Sequence, residues 1–326
     1  MLTIGIRIAF GVVLLLLVFR FAADFRSTLA CLRRAAPQWL IAAAFAALAS
    51  EFITAWKWKL LLRHAGENLP YKHAVAASFV GMFYNNLFPG SVGGDIARAL
   101  HIASHVGGKA RAAASAFMQR NTGLGGLLLV AIPASIVWLR GSALGGAIPW
   151  PVSLPVFWFC VAAVVYLAAN VLLLWDASFR TLWTRLNSPG HWERPIFRKI
   201  LNVVHRLHLE LQMYRRYWTI PLLLSVVTQL IDCTLVWFLA LALGAGVPYH
   251  SFLIAVPFVT LAAMVPVSFN GIGLREIAYV LLFAGSSVAN ETAVGVSLLQ
   301  FTIIIMLSAI GGLIHLLHLR SAPGRI

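Results

Sequence analysis

The chain has 326 residues, 60% of them hydrophobic and 11% charged, with a mean hydropathy of +0.86. Soluble domains carry roughly a quarter charged residues, so a soluble fold is excluded and an all-α integral membrane protein is expected, its backbone groups satisfied within helices. The formal charge of +15 lies in loops between apolar runs, which points to anionic inner-leaflet lipids as partners and argues against nucleic acid.

Eight hydrophobic segments follow in order: 4–22, 38–58, 73–89 resuming to 105, 112–138, 152–175, 219–243, 250–266 resuming to 290, and 293–318. Most reach the roughly 20 residues needed to cross the hydrocarbon core. No small-residue cleavage site follows Phe19-Arg20-Phe21, so the first is expected to be a retained span. Segments three and seven are interrupted alike. The first break reads Phe88-Pro89-Gly90-Ser91-Val92-Gly93-Gly94-Asp95-Ile96-Ala97-Arg98, and the second Val265-Pro266-Val267-Ser268-Phe269-Asn270-Gly271-Ile272-Gly273-Leu274-Arg275-Glu276. Unwound backbone at membrane depth requires protein or a watery cavity around it. Paired interruptions in two halves are the pattern of a transporter's binding site. Both segments are therefore expected to be broken, re-entrant hairpins within an inverted repeat.

The repeat divides the chain into 1–138, broken at 89–94, a connection over 139–218 whose span 152–175 belongs to the second repeat, and 219–326, broken at 266–273. Glu51 and Asp232 each fall fourteenth in their spans if these start at Gln38 and Thr219. Dense Lys and Arg over 176–218 place that loop in the cytoplasm. Charge counting leaves the first half's orientation open, because Arg26, Arg33 and Arg34 compete with Lys59, Arg63 and Lys72 for the inside. Within 195–217, Ile196, Ile200, Val203, Leu207, Leu211 and Tyr214 share one side of a helix that either lies in the cytoplasmic interface or packs on the protein.

An ionisable group at the bilayer centre costs roughly 2.5–3.5 kcal/mol on insertion scales, so the charges inside apolar runs should face a polar interior. Asp95, Arg98, Arg120, Arg275 and Glu276, supported by Glu51 and Asp232, are either structural pairs, such as Asp95 with Arg120, or contacts to a substrate. Gly93, Gly94, Gly271 and Gly273 admit close backbone approach at two half-helix N-termini, where a phosphate would meet free N–H groups. Asn85, Asn86 and Asn270 would add neutral hydrogen bonds. Cys31, Cys160 and Cys233 form no CxxC, and the pairs His101/His105, His205/His208 and His315/His318 have no third ligand nearby. No metal, cofactor or catalytic residue is expected, since no nucleotide loop or Ser-His-Asp order appears either.

With Gln119-Arg120 opening the next helix and Trp56-Lys57-Trp58-Lys59-Leu60-Leu61-Leu62 closing the second span, these breaks resemble the flippase-like, lysylphosphatidylglycerol synthase transmembrane family with its MprF- and YbhN-like members. The resemblance covers nearly the whole chain. It implies a multi-pass protein of the bacterial inner membrane that moves a phospholipid, or a polyprenyl- or hopanoid-related lipid, between leaflets. By position it implies that Gly93, Gly94, Asp95, Arg98, Arg120, Gly271, Gly273, Arg275 and Glu276 line the lipid path. The family often has an acidic residue where this chain has Gln119, and no aminoacyl-transfer domain is present in these residues, so lysyl transfer is not expected from them. The alternative function is an intramembrane lipid-modifying transferase, or a non-catalytic membrane partner of such an enzyme.

Overall fold

A computed structural model describes residues 2–87, 92–143, 150–174, 195–214, 217–264, 268, 271–283 and 288–321. Within them the chain is helical and contains no strand. The helices are α1 (Leu2–Phe21), α2 (Phe25–Arg33), α3 (Pro37–His64), α4 (Tyr71–Leu87), α5 (Val92–Ile102), α6 (Lys109–Ala143), α7 (Trp150–Leu174), α8 (Pro195–Gln212), α9 (Thr219–Ala242), α10 (Tyr249–Met264), α11 (Leu274–Phe283) and α12 (Asn290–Ser321). Four stretches among the described residues are long and apolar enough to cross a membrane: Pro37–His64, Lys109–Val137, Thr219–Ala242 and Asn290–Leu317. Ala9–Phe21, Pro155–Asn170 and Tyr249–Met264 are apolar but shorter.

Helices α3 and α9 form an antiparallel central pair. At one end the Ala36 amide donates to the Ala242 carbonyl at 2.8 Å, and at the other His64 stacks on Tyr217 with centroids 4.4 Å apart. Ala43, Ala47 and Ser50 recur on one face of α3 at helical spacing and are buried. Such small side chains let helix backbones approach closely, which is how apolar helices associate where water supplies no driving force. Pro37 starts α3, where its missing N–H loses nothing.

Each interrupted segment is a helical hairpin. Helix α5 folds back on α4, so His73 near the start of α4 meets His105 just beyond α5, centroids 4.8 Å apart. In the same way Phe252 near the start of α10 meets Phe283 at the end of α11, at 5.6 Å. The first hairpin opens at the end where α3 finishes, and the second where α9 finishes. Because those two helices are antiparallel, the hairpins open at opposite ends of the pair. Residues 88–91, 265–267 and 269–270 lie outside the described residues, and Pro89, Pro266 and Asn270 with them.

The first of the short helices, α2, was not among the eight expected segments. Asp24 caps it, accepting from the Ser27 amide at 2.7 Å, and the same contact holds the Asp24 carboxyl below its usual range. It docks on the start of α12 through Cys31 and Thr292. Helix α8 docks on the start of α6, where Arg111 donates to Glu210 at 3.0 Å and to Glu67 at 2.6 Å. Its last turn is packed, with Leu211 and Tyr214 buried, while Val203 is exposed. Burial raises the Tyr214 hydroxyl above its ordinary value. The packed reading of this helix therefore holds for its C-terminal end. Residues 175–194 and 215–216 lie outside the described residues.

Candidate functional site

Asp95 stands in the first turn of α5, where a carboxylate meets the positive end of the helix. It ties two helices together: Arg98 Nη2 lies 2.7 Å from Oδ1 and Arg120 Nη1, from α6, 2.6 Å from Oδ2. The sequence had left pairing and substrate contact open for Asp95 and Arg120, and they are paired. Arg98 also lies over the Trp58 ring at 5.2 Å, while its Nε has no hydrogen-bond partner. Trp58 is held in turn by its Nε1 donating to Ser115 Oγ at 3.0 Å.

This geometry depends on close contact between the hairpin's two arms. The Gly94 amide donates to Asn85 Oδ1 at 2.9 Å, and a methyl on Gly94 would overlap the Gly81 carbonyl oxygen and the Asn85 side chain. Of the residues expected here, Gly94, Asp95, Arg98, Arg120 and Asn85 are brought together. Gly93 and Asn86 are half-buried beside them.

The second break is built differently. Glu276 Oε2 reaches back to accept from the Gly273 amide at 2.6 Å, closing the first turn of α11 as a capping box does. Its Oε1 accepts from Ser297 of α12 at 2.7 Å. Gly271 and Gly273 have φ of +75° and +84°, values that favour glycine. Arg275 is only 4% exposed and lies over the Phe301 ring at 5.1 Å. Its Nε and Nη2 have no hydrogen-bond partner, and it forms no ion pair with a described residue. Glu276 is thus committed to Gly273 and Ser297 rather than to Arg275. No described contact joins Arg275 to the Asp95 cluster. Nearby, Tyr279 donates to Gln300 at 2.9 Å.

A third polar cluster lies between α3 and α9. Ser50 donates to Asp232 at 2.7 Å. Lys57 is buried and donates to Ser225 Oγ at 2.9 Å and to the Gln119 carbonyl at 3.3 Å. Glu51 lies within electrostatic reach of Arg98, Lys57 and Asp232. Sequence reasoning named Glu51 and Asp232 but passed over Lys57, although a lysine inside an apolar helix carries the same signal. Among the described residues, no group of three or more His, Cys, Asp or Glu side chains could hold a metal.

The sequence profile of the family described as "Lysylphosphatidylglycerol synthase TM region" matches residues 4–312. A protein of Pyrococcus horikoshii described as a UPF0104 membrane protein is 24% identical over 307 residues, covering 88% of this chain and 89% of the relative. No solved structure matches the chain.

Proposed function

Because the chain belongs to the lysylphosphatidylglycerol synthase TM region family, we propose that this membrane protein is a flippase-like lipid transporter of the bacterial inner membrane. The observation that carries this reading is Arg275. Leaving a buried charge without a partner is strongly unfavourable, by roughly 3–5 kcal/mol where one member of a buried pair is removed. Arg275 comes close to that situation: it lies over an aromatic face with Nε and Nη2 unbonded, and Glu276, within electrostatic reach, is bonded to Gly273 and Ser297 instead. An anionic group supplies what it lacks, and a lipid phosphate is the anion that a membrane presents. The Asp95, Arg98 and Arg120 cluster provides a second polar station, and the lipid's tails remain in the bilayer.

Support for an inverted repeat comes from matched packing. Helix α2 docks on the start of α12 as α8 docks on the start of α6. The Tyr71 hydroxyl donates to the Phe52 carbonyl at 2.9 Å and the Tyr249 hydroxyl to the Leu230 carbonyl at 3.2 Å, each bond spanning 19 residues. Two such halves rocking against each other would expose a cavity to alternate leaflets.

The test is leaflet exchange of a head-group-labelled phosphatidylglycerol in vesicles containing the purified protein. The wild type is expected to speed exchange. The pair Arg98→Ala, Arg275→Ala should lose most of it, and Arg275→Lys should retain a part. Equal exchange by the wild type and the double variant, at equal amounts of folded protein, would overturn the proposal.

A further inference from the structure

Between α5 and α6 runs a groove of about 390 Å3 that joins two cations at different heights. Arg120, held by Asp95, stands at one end, and Lys109, the first residue of α6, at the other. Ile96 and Phe117 border it and are exposed, so its side is open. Ala99 and Ala116 line it as buried small side chains, and Ala113 lines it at an exposed position. Arg120 lies eleven positions beyond Lys109 on α6, a rise of about 16 Å at 1.5 Å per residue. That distance is about half of a roughly 30 Å hydrocarbon core, the depth of one leaflet.

Lys109 gains nothing from its place in the helix. A cation at a helix N-terminus opposes the macrodipole, and the first turn of α6 contains no acidic residue. Arg111, two residues on, is matched by Glu67 and Glu210, whereas Lys109 forms no ion pair with a described residue. At the other end of the groove Asp95, itself part of the lining, is shared by Arg98 and Arg120, and Glu51 lies within electrostatic reach of Arg98. The groove therefore has at its Lys109 end a cation with no ion pair to a described residue, at its Arg120 end a guanidinium held by a carboxylate, and mostly apolar side chains between them. The helix that follows the second hairpin has no such cation: α12 begins with Asn290, which donates to the Ala22 carbonyl, and Glu291.

We propose that the α5–α6 groove is a lateral entry for the phosphate head group of an anionic phospholipid, taken from the leaflet on the Lys109 side. Lys109 meets the phosphate at the membrane surface, and Arg120 receives it at depth. The tails stay outside, against Ile96 and Phe117. The inference rests on the transporter reading and adds to it the charge class of the lipid and the side from which it enters.

The test uses the full chain in phosphatidylcholine nanodiscs containing a phosphatidylglycerol with a photoreactive group at its head, with the labelled peptides mapped by mass spectrometry. Labelling is expected within residues 95–120, reaching Phe117. Lys109→Gln should reduce it about fivefold, the weight of one lysine facing anionic lipid near the surface. Ala113→Trp, at an exposed position, should block labelling near Phe117 and spare the Lys109 end. A phosphatidylcholine bearing the same group should label the groove several-fold less. Equal labelling by both lipids, or no response to Lys109→Gln, would reduce the groove to apolar packing and overturn the proposal, as would labelling confined to other helices. Labelling without leaflet exchange would keep the groove and remove the transporter reading. Exchange without labelling would remove the groove alone.

Discussion

Replacing Asp95 with Asn keeps the side chain's shape and removes the charge that Arg98 and Arg120 share. Breaking a fully buried ion pair from one side costs about 3–5 kcal/mol. Here the side chains of Asp95, Arg98 and Arg120 are 20%, 12% and 31% exposed, so water screens part of that loss, chiefly at Arg120. Arg98 keeps the Trp58 face after the change, worth about 0.5–2 kcal/mol. The net expectation is a destabilisation of about 2–3 kcal/mol, with most of it arising at Arg98. Reversible unfolding in mixed micelles, followed by the fluorescence of the Trp58 region, measures it. The double cycle of Asp95→Ala with Arg98→Ala should show a coupling of about 1–3 kcal/mol, the range for residues in one ion-pair network. Additive single effects, or an Asp95→Asn loss below about 0.5 kcal/mol, the usual range for uninvolved surface positions, would refute the bridging role.

Gly94→Ala should cost about 1–3 kcal/mol by forcing a methyl against the Gly81 carbonyl, while Gly246→Ala, with open space around it, should stay within about 0.5 kcal/mol in the same unfolding assay. Lys57→Met removes a buried cation that lies between Ser225 and the Gln119 carbonyl and near Glu51 and Asp232. A loss of about 2–4 kcal/mol is expected, and adding Asp232→Asn should recover part of it. Arg111→Ala releases Glu67 and Glu210 together. Since the arginine is partly exposed, global stability should fall by about 1 kcal/mol or less, but hydrogen exchange across residues 195–212 should quicken more than elsewhere.

The hairpins were legible because Pro and paired Gly interrupt runs that otherwise suit a membrane, and no soluble pattern competes with that reading. The Asp95–Arg120 contact was legible as one of two options, since charges inside apolar runs must find partners. Other features had no such signal. Helix α2 is short, and its apolar positions are interleaved with arginines, so Phe25–Arg33 reads as a basic loop until Asp24 and the start of α12 are in place. Lys57 sits in a Trp-Lys-Trp-Lys run that resembles an interfacial belt, and its partner Ser225 lies 168 residues away. Glu276 is Arg275's neighbour in sequence. Consecutive helical side chains, however, diverge by about 100°, which sends Glu276 to Gly273 and Ser297 and leaves Arg275 against Phe301.

That divergence makes the two breaks chemically unequal. At the first, one carboxylate holds two guanidinium groups, and an incoming phosphate would have to compete with Asp95 for them. At the second, the carboxylate is spent on closing its own helix, and the guanidinium forms no ion pair with a described residue. Under the transporter reading, the first station would take a phosphate and give it up more easily, because Asp95 competes for its arginines, while the second would hold it more firmly. The carboxylate of the first station and its absence from the second would therefore set how readily a lipid moves on from each. On that reading Asp95 would serve two ends, bracing α5 against α6 and keeping the first station's grip weak enough for release.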